Sequence, residues 1–540
     1  GDKGLSGPIA LGCRGDTSSG LLAAAGYPLL FLRFALKTRM LDFRLPNYSG
    51  QPTIDSLADP PALRLSVRRK ATARMAAPRT TEAELRWVEK VPRGECRGDT
   101  GEEPCAPLRL PLWRYRLRDG GNNARPCEVL AGSWNGVPVA RAKAVLLLHA
   151  FGQSGLTYTF QTTLQTLAER FLRQGYEVWI LEMRMSTRSG YGHEPCTVDQ
   201  IGAHDIPHAV DHILECLQGE SRDQTLQGRP WQIAAYAHCI GSAAMWMALL
   251  GGKLTHGIPA AGGSTGGAVL SKLSHLMSSQ LHPWVVGSRA AQGKTWVPAL
   301  LSKVWRRGSV PFAVRGPQQG FIAPLMDRVF GSLPAPIAED RRPVQEQPGM
   351  EPRKATHDDA AATCRRIRYI DAPLFDHRHI NDATLAIMNQ LFGDANLRLF
   401  AQARRFIERR RLVDEDGINS YVTDAQIAQH LAFPIQLLHG EDNQLFDIAG
   451  AETTFQRLGQ HHGGWQRAFC TVNGKTGFLR LPGYGHLDPL IGERAHIDVF
   501  RQVVRVFRET HEQPDHAASP GTADFWSLRA PRVGPFVGWV

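Results

Sequence analysis

The chain has 540 residues, 43% of them hydrophobic, and a formal net charge of +11 at pH 7. This length predicts two or three folded units, and the hydrophobic share is enough for a buried core. No zinc-finger or RNA-binding motif accompanies the positive charge, so we expect no nucleic-acid partner.

Residues 1–80 carry twelve Lys or Arg and five Asp, a net charge of +7, and predict a basic arm. The apolar run 21–32 is shorter than the roughly 20 residues that cross a bilayer, so we expect no transmembrane segment. A helix that packs on the body is favoured for this run. An interfacial anchor with peripheral membrane contact is the alternative.

The nine cysteines show no metal-ligand spacing, and their odd number favours reduced thiols in a cytoplasmic protein. One disulfide among Cys96, Cys105 and Cys127 is the alternative if the protein is secreted. We expect neither a metal nor a cofactor. Three histidines spaced four apart on a predicted helix lack carboxylate or Cys ligands and predict a partly exposed helix face: His204, His208 and His212.

From residue 81 strand-like and helix-like patterns alternate, with strands near 108–117, 145–149 and 177–182 and helical spacing over 160–174. Such alternation predicts a mostly parallel sheet with helices on both faces. We assign residues 81–252 to the first half of this core.

Cys239 lies between a strand-like run, residues 231–238, and the start of a helix rich in small residues. The pattern matches the nucleophile turn Gly-x-Ser-x-Gly, with Ala237 in place of the first Gly and Cys239 in place of Ser. Gly241 keeps the second small position. A cysteine that only packs in the core is the alternative.

Residues 253–430 leave the simple alternation and predict a large inserted lid. The glycine-rich stretch 261–267 lacks the Lys-Ser/Thr of a phosphate-binding loop and predicts a loop. Apolar residues over 382–411 predict helices that pack the lid or line a pocket.

The second half of the core is assigned to residues 431–510, and a tail to 511–540. A strand-like run ends at Gly440 before an acidic turn, and His486 lies in a glycine-rich loop before the last predicted helix. Nucleophile, orienting residue and histidine thus occur in the chain order of a hydrolase triad.

Four segments together resemble a known family: residues 149–154, 178–184, 238–242 and 485–489. They are similar to the α/β-hydrolase units associated with cholesterol-oxidase-like flavin (GMC) oxidoreductases, and the last is similar to acid lipases. The resemblance covers roughly residues 85–510. It implies an α/β-hydrolase fold, acyl hydrolysis or transfer, and a functional link to a flavin oxidoreductase. No Gly-x-Gly-x-x-Gly follows a strand, so no flavin-binding domain is expected in this chain.

The resemblance to acid lipases places Asn443 at the position of their catalytic Asp. We favour Asn443 as the residue that orients His486, because a thiolate–imidazolium pair can exist without a carboxylate. Asp442 is the close alternative, and Asp447 and Asp488 are further substitutes. Asn and Asp are also common in surface turns, so a purely structural role for these residues is the alternative.

Together these residues predict a cysteine-nucleophile hydrolase. The helix N-terminus is expected to favour the thiolate of Cys239, with His486 as general base and the N–H groups of Phe151 and Ile240 as the oxyanion hole. The substrate would be a small lipophilic ester, thioester or lactone, cleaved through a thioacyl-enzyme. An acyltransferase of the polyhydroxyalkanoate-synthase type is one alternative, although Ser242 stands where those enzymes have Gly. A non-catalytic binding protein is the other.

Overall fold

In the computed structural model, the residues described are 81–93, 106–118, 124–134, 136–259, 267–288, 291, 309–312, 361–368, 373–461 and 477–512. The predicted arm 1–80 lies outside them. Residues 513–540 of the predicted tail and residues 261–266 of the glycine-rich stretch also lie outside them.

The strands of the described chain form one large sheet and two small ribbons. They are β1 (Thr81–Val91), β2 (Leu108–Leu117), β3 (Val129–Trp134), β4 (Val137–Leu148), β5 (Glu177–Leu181), β6 (Trp231–His238), β7 (Thr255–Pro259), β8 (Val269–Ser271), β9 (Leu273–Ser279), β10 (Ser309–Pro311), β11 (Asp394–Asn396), β12 (Ile435–Gly440) and β13 (Phe478–Leu481).

The large sheet has the strand order β1-β2-β5-β4-β6-β9-β12-β13, with β3 paired to β4. Every neighbouring pair from β5 to β13 is parallel, whereas β1–β2, β2–β5 and β3–β4 are antiparallel. All residues of β5, β6, β9 and β12 are buried, so both faces of the sheet are covered. The predicted mostly parallel sheet covered on both faces is confirmed.

The α-helices with defined ends follow the same chain order. They are α1 (Leu167–Arg173), α2 (Val198–Gln200), α3 (Ile206–Glu220), α4 (Ile240–Leu250), α5 (Asp382–Ala386), α6 (Met388–Leu391), α7 (Leu397–Arg409), α8 (Asp424–His430), α9 (Ile448–His461), α10 (Asp488–Ile491), α11 (Ala495–Asp498) and α12 (Phe500–Glu512).

Helix α4 is buried along its whole length, because its residues are apolar or small on every side. It directly follows β6 and thereby carries the junction at Cys239 into the centre of the molecule. Helix α12 is amphipathic and packs on β9 and on α1. Within the described residues, no helix combines the length and the apolar character needed to cross a bilayer.

The boundary predicted for the lid needs correction. Strand β9, at Leu273–Ser279, lies inside the predicted lid range 253–430 but pairs with β6 and β12 in the large sheet. Helix α8 also falls inside this range and packs against α4 and α9. The described residues that stand apart from the sheet in this range include the β10–β11 ribbon and helices α5 to α7.

A buried ionic cluster joins the antiparallel side of the sheet to α3. The Arg114 side chain is fully buried and donates from Nε and Nη2 to Glu177 at 2.8 and 3.0 Å. It also donates from Nη1 and Nη2 to Glu220 at 2.5 and 2.6 Å. Because both carboxylates depend on one guanidinium, its removal would leave Glu177 charged and buried without this partner.

Candidate active site

Cys239 lies at the sharp turn between β6 and α4, as expected. Its backbone has φ 55° and ψ −123°, a conformation that non-glycine residues rarely adopt. The turn is crowded, since a Cβ atom on Gly241 would lie 2.5 Å from the carbonyl oxygen of His149. The Cys239 N–H donates to the Ser279 carbonyl at 2.9 Å, which ties the turn to the end of β9. Such strain at one turn is typical of a nucleophile position.

Phe151 and Ile240 lie beside Cys239 in one cavity. Within the described chain, neither of their backbone N–H groups makes a hydrogen bond. The Ile240 N–H is at the first turn of α4, where the helix dipole adds positive potential. Two such donors beside one thiol are the arrangement that can hold a developing oxyanion.

His486 follows β13 in the loop that precedes α10 and lines the same cavity as Cys239. The Asn443 side-chain amide donates from Nδ2 to Nδ1 of His486 at 3.1 Å. The Nε2 atom of His486 is buried and has no hydrogen-bond partner among the described residues. The structure thus brings Cys239, His486 and Asn443, three residues from distant parts of the chain, to one place.

The pKa of His486 is lowered well below 6.5, first by burial and then by the neighbouring His238 and His439. A charged imidazolium would also need a proton on Nδ1, where Asn443 donates. Both effects favour a neutral ring, so this geometry does not favour the expected thiolate–imidazolium pair or a strongly basic His486.

Within the described residues, none of the three Asp side chains considered for orientation hydrogen-bonds to His486. Asp442 is exposed, and its N–H donates to the Tyr484 carbonyl at 3.0 Å. Asp447 is exposed and accepts from the Ala449 N–H at the start of α9. Asp488 is buried and accepts from the N–H groups of Gly485 and Asp376, and burial raises its pKa to about 7.

Gln280 is a residue of this site that the sequence analysis missed. It follows β9, is fully buried and has a positive φ of 71°. Its Oε1 atom accepts from Asn443 Nδ2 at 2.9 Å and from the Gly440 N–H at 3.1 Å. The only sequence signal was the run of residues 273–279, which can be a buried strand if it is not assigned to the lid.

Three more buried histidines lie under the site. The His238 ring is 5.3 Å from that of His486, and His238 Nδ1 is 2.9 Å from Ser279 Oγ. His282 Nε2 is 3.4 Å from His439 Nδ1. Burial lowers the pKa of His238 to about 3 and that of His439 to about 4, so both rings are neutral at pH 7.

The cavity is small and apolar apart from Cys239 and His486. Its volume is about 30 Å³. Leu399 and Ala403 of α7 form one wall. The ring centroids of Phe151 and Phe400 are 4.7 Å apart, so α7 packs directly on the loop that carries Phe151.

The remaining expectations concern metals and thiols. His204, His208 and His212 are half-buried on one helical stretch, and the described residues contain no cluster of His, Cys, Asp or Glu that could hold a metal ion. Cys127 is not in a disulfide, which excludes it from the alternative pairing with Cys96 or Cys105.

No protein-family model matches the sequence, and neither does any curated protein. A solved monoglyceride lipase from Saccharomyces cerevisiae is similar at 13% identity and a TM-score of 0.42, over 78% of this chain and 96% of its own. An esterase from Thermogutta terrifontis is similar at 12% identity and a TM-score of 0.35, over 81% of this chain and 100% of its own. At this level the activities of those proteins do not transfer to this chain.

The chain has the α/β-hydrolase fold that its motifs predict. The turn at Cys239 follows a central parallel strand, and Asn443 and His486 follow β12 and β13 in that order. Because parallel strands end at one edge of a sheet, these three turns meet where open α/β sheets bind their ligands.

Proposed function

We propose that this protein is a cysteine-nucleophile acyl hydrolase that acts on a small lipophilic ester, thioester or lactone. The observation that carries the proposal is the shared cavity of Cys239 and His486, which is also lined by Phe151 and Ile240, two residues whose backbone N–H groups make no hydrogen bond within the described chain. A purely structural cysteine needs neither the strained turn nor the two unpaired donors.

In the proposed reaction the Cys239 sulfur attacks the acyl carbonyl carbon, and the π electron pair moves to oxygen. The N–H groups of Phe151 and Ile240 donate to that oxygen, a contribution of about 3–4 kcal/mol for each donor. When the tetrahedral species collapses, the bond to the leaving group breaks, the departing alkoxide or thiolate takes up a proton in place of the one that the Cys239 thiol lost, and a thioester on Cys239 remains. Water then cleaves this thioester, which releases the acid and returns the thiol.

The lid proposed here comprises the β10–β11 ribbon and helices α5 to α7. Leu399, Phe400 and Ala403 of α7 line the cavity and favour a lipophilic acyl group. Because the cavity volume is only about 30 Å³, we propose that α7 moves to admit an acyl chain. A closed lid would then protect the thioester on Cys239 from water. This protection favours transfer of the acyl group to an acceptor alcohol or thiol, and acyl transfer is therefore the second candidate function.

The test is acylation followed by intact mass. The full chain is incubated with nitrophenyl esters and thioesters of short and long acids, with and without an acceptor alcohol. We expect one acyl adduct that is lost in Cys239→Ala and kept in Cys216→Ala, a control that removes a half-buried thiol of α3. The split of product between free acid and acylated alcohol decides between hydrolase and transferase. Absence of both adduct and turnover with every donor would refute the enzyme proposal.

A neighbouring pair of variants tests the orienting residue. Asn443→Ala removes the donor to His486, whereas Asp442→Ala changes an exposed side chain next to it. We expect the first to lower kcat/KM more than the second. The reverse ranking would assign the orienting role to Asp442.

Three further expectations stay predictions. They are the cytoplasmic location, the functional link to a flavin oxidoreductase, and the basic arm of residues 1–80, with peripheral membrane contact of its apolar run 21–32 as the alternative. Co-purification of the full-length protein from its native cells, with mass spectrometry of bound proteins, would test the flavin-enzyme link.

A further inference from the structure

The direction of the Asn443 amide is set by its neighbours. Its Oδ1 atom accepts from the N–H groups of Leu445 and Phe446 at 2.9 and 3.1 Å. Its Nδ2 atom therefore faces the other way and donates to Gln280 Oε1 and to His486 Nδ1. A flipped amide would lose both backbone donors and would place two oxygens against each other at Gln280.

A neutral histidine has one protonated and one unprotonated ring nitrogen. Since Nδ1 of His486 accepts from Asn443, the proton of the neutral ring lies on Nε2. This is opposite to the tautomer of a Ser-His-Asp triad, in which the carboxylate accepts from Nδ1–H and Nε2 is the base.

We infer that Gln280 is a positioning residue that holds the Asn443 amide and thereby keeps the His486 proton on Nε2. Gln280 is itself held in place. Its N–H donates to the Leu438 carbonyl at 2.9 Å, and its Oε1 atom also accepts from Gly440. Rotation of its amide would leave the Gly440 N–H without this acceptor, so the Gln280 oxygen stays turned toward Asn443.

The topology explains why Gln280 can do this. Strand β9 lies between β6, which ends at the cysteine turn, and β12, which ends at the Asn443 turn. A residue immediately after β9 therefore sits between the nucleophile and the residue that orients the histidine. The positive φ of Gln280 directs the chain away from the sheet at this point.

One chemical consequence rests on the proposed function. In a His486 ring with its proton on Nε2, the Nδ1 lone pair is already used by Asn443, so the ring does not take the thiol proton. Attack then starts from the Cys239 thiolate, which forms when the thiol loses its proton to solvent. A bond forms from the Cys239 sulfur to the carbonyl carbon of a thioester R–CO–S–R′, the bond from that carbon to the second sulfur breaks, and R′S⁻ leaves with the electron pair. Charge passes from one sulfur to the other and no proton is moved. An alkoxide needs a proton to leave, so thioesters are the favoured substrate class.

The tautomer can be read in the resting full-length protein by long-range ¹H–¹⁵N spectra of ¹⁵N-histidine. The His486 signals are those missing in His486→Gln. We expect a protonated Nε2 and an unprotonated Nδ1 in the wild type. Gln280→Met, which removes the acceptor, should shift the ring toward Nδ1–H by about three- to ten-fold, the effect of one hydrogen bond. Gln280→Glu keeps an acceptor oxygen and should leave the tautomer unchanged.

Asn443→Asp supplies a second variant, because it replaces the donor by an acceptor and should move the proton to Nδ1. A proton on Nδ1 in the wild type would overturn the inference whatever the variants do. If the spectra of wild type, Gln280→Met and Gln280→Glu were equal, Gln280 would not be a positioning residue.

Acylation rates test the substrate class separately. A thioester should acylate Cys239 at least about ten-fold faster than the alkyl ester of the same acid, and equal rates would contradict the consequence. If no acyl donor reacts while the spectra are as expected, the proposed function fails and the positioning role of Gln280 stands.

Discussion

Gly440→Ala tests how closely the histidine loop must approach the end of β12. A Cβ atom at this position would lie 2.3 Å from the Tyr484 carbonyl oxygen and 2.4 Å from that of Gly485. Ordinary contacts begin at 3.4 Å, so the loop that carries His486 must retreat by about 1 Å. The backbone of Gly440 does not have a positive φ, so this crowding alone requires glycine.

A retreat of this size would stretch the 3.1 Å hydrogen bond between Asn443 and His486. Displacement of a catalytic group by about 1 Å can lower a rate about 100-fold, and overpacking costs about 1–3 kcal/mol of unfolding free energy. We expect both losses. The first is measured as kcat/KM with nitrophenyl esters and the second by urea unfolding.

Gly219→Ala is the matched control. Gly219 lies in α3 with nothing within 4 Å of the added Cβ, and alanine there should stabilise the helix by up to about 1 kcal/mol. Its activity should equal that of the wild type. A Gly440→Ala protein with wild-type stability and rate would refute the reasoning about the close approach.

Three further predictions concern pH, the lid and the ionic cluster. Burial lowers the pKa of His275 from its ordinary value of 6.5 to about 3. When the pH falls below 6.5, the unfolded chain therefore binds a proton on His275 that the folded chain does not bind. Urea unfolding should show that the wild type loses about 3 kcal/mol relative to His275→Phe between pH 7.5 and 4.5, and parallel pH curves would contradict this. Ala403→Leu fills the cavity wall and should raise KM for acyl donors about ten-fold, whereas an unchanged KM would place the acyl group elsewhere. Arg114→Met leaves Glu177 buried without its partner and should cost about 3–5 kcal/mol of unfolding free energy, while Arg404→Ala, in an exposed pair, should cost at most about 0.5 kcal/mol.

Much of the site could be predicted because its parts are marked by local backbone demands. A strand that reverses into a helix around Cys239 needs small neighbours, and Ala237 and Gly241 are visible in the chain. The histidine loop is marked by its glycines in the same way. Such backbone requirements act within a few residues. The order of the marked turns along the chain therefore identifies the parts of the site without knowledge of tertiary contacts.

Gln280 could not be predicted in this way. The strand before it contains Ser and His among its apolar residues and falls in a range without clear alternation, so its pattern does not separate a core strand from an inserted segment. Its place in the sheet depends on pairing with β6 and β12, which are distant in the chain. The lid boundary was misplaced for the same reason.

Local patterns in the chain were enough to predict the fold class and to single out Cys239 and His486, because hydrophobic period and turn chemistry are local properties. Only the tertiary structure decided that Asn443 rather than Asp442 faces His486, and that it does so as a donor. The direction of that amide depends on Gln280, 163 residues away in the chain. A hydrogen-bond direction is set by whichever groups the fold brings together, and no spacing in the sequence encodes it.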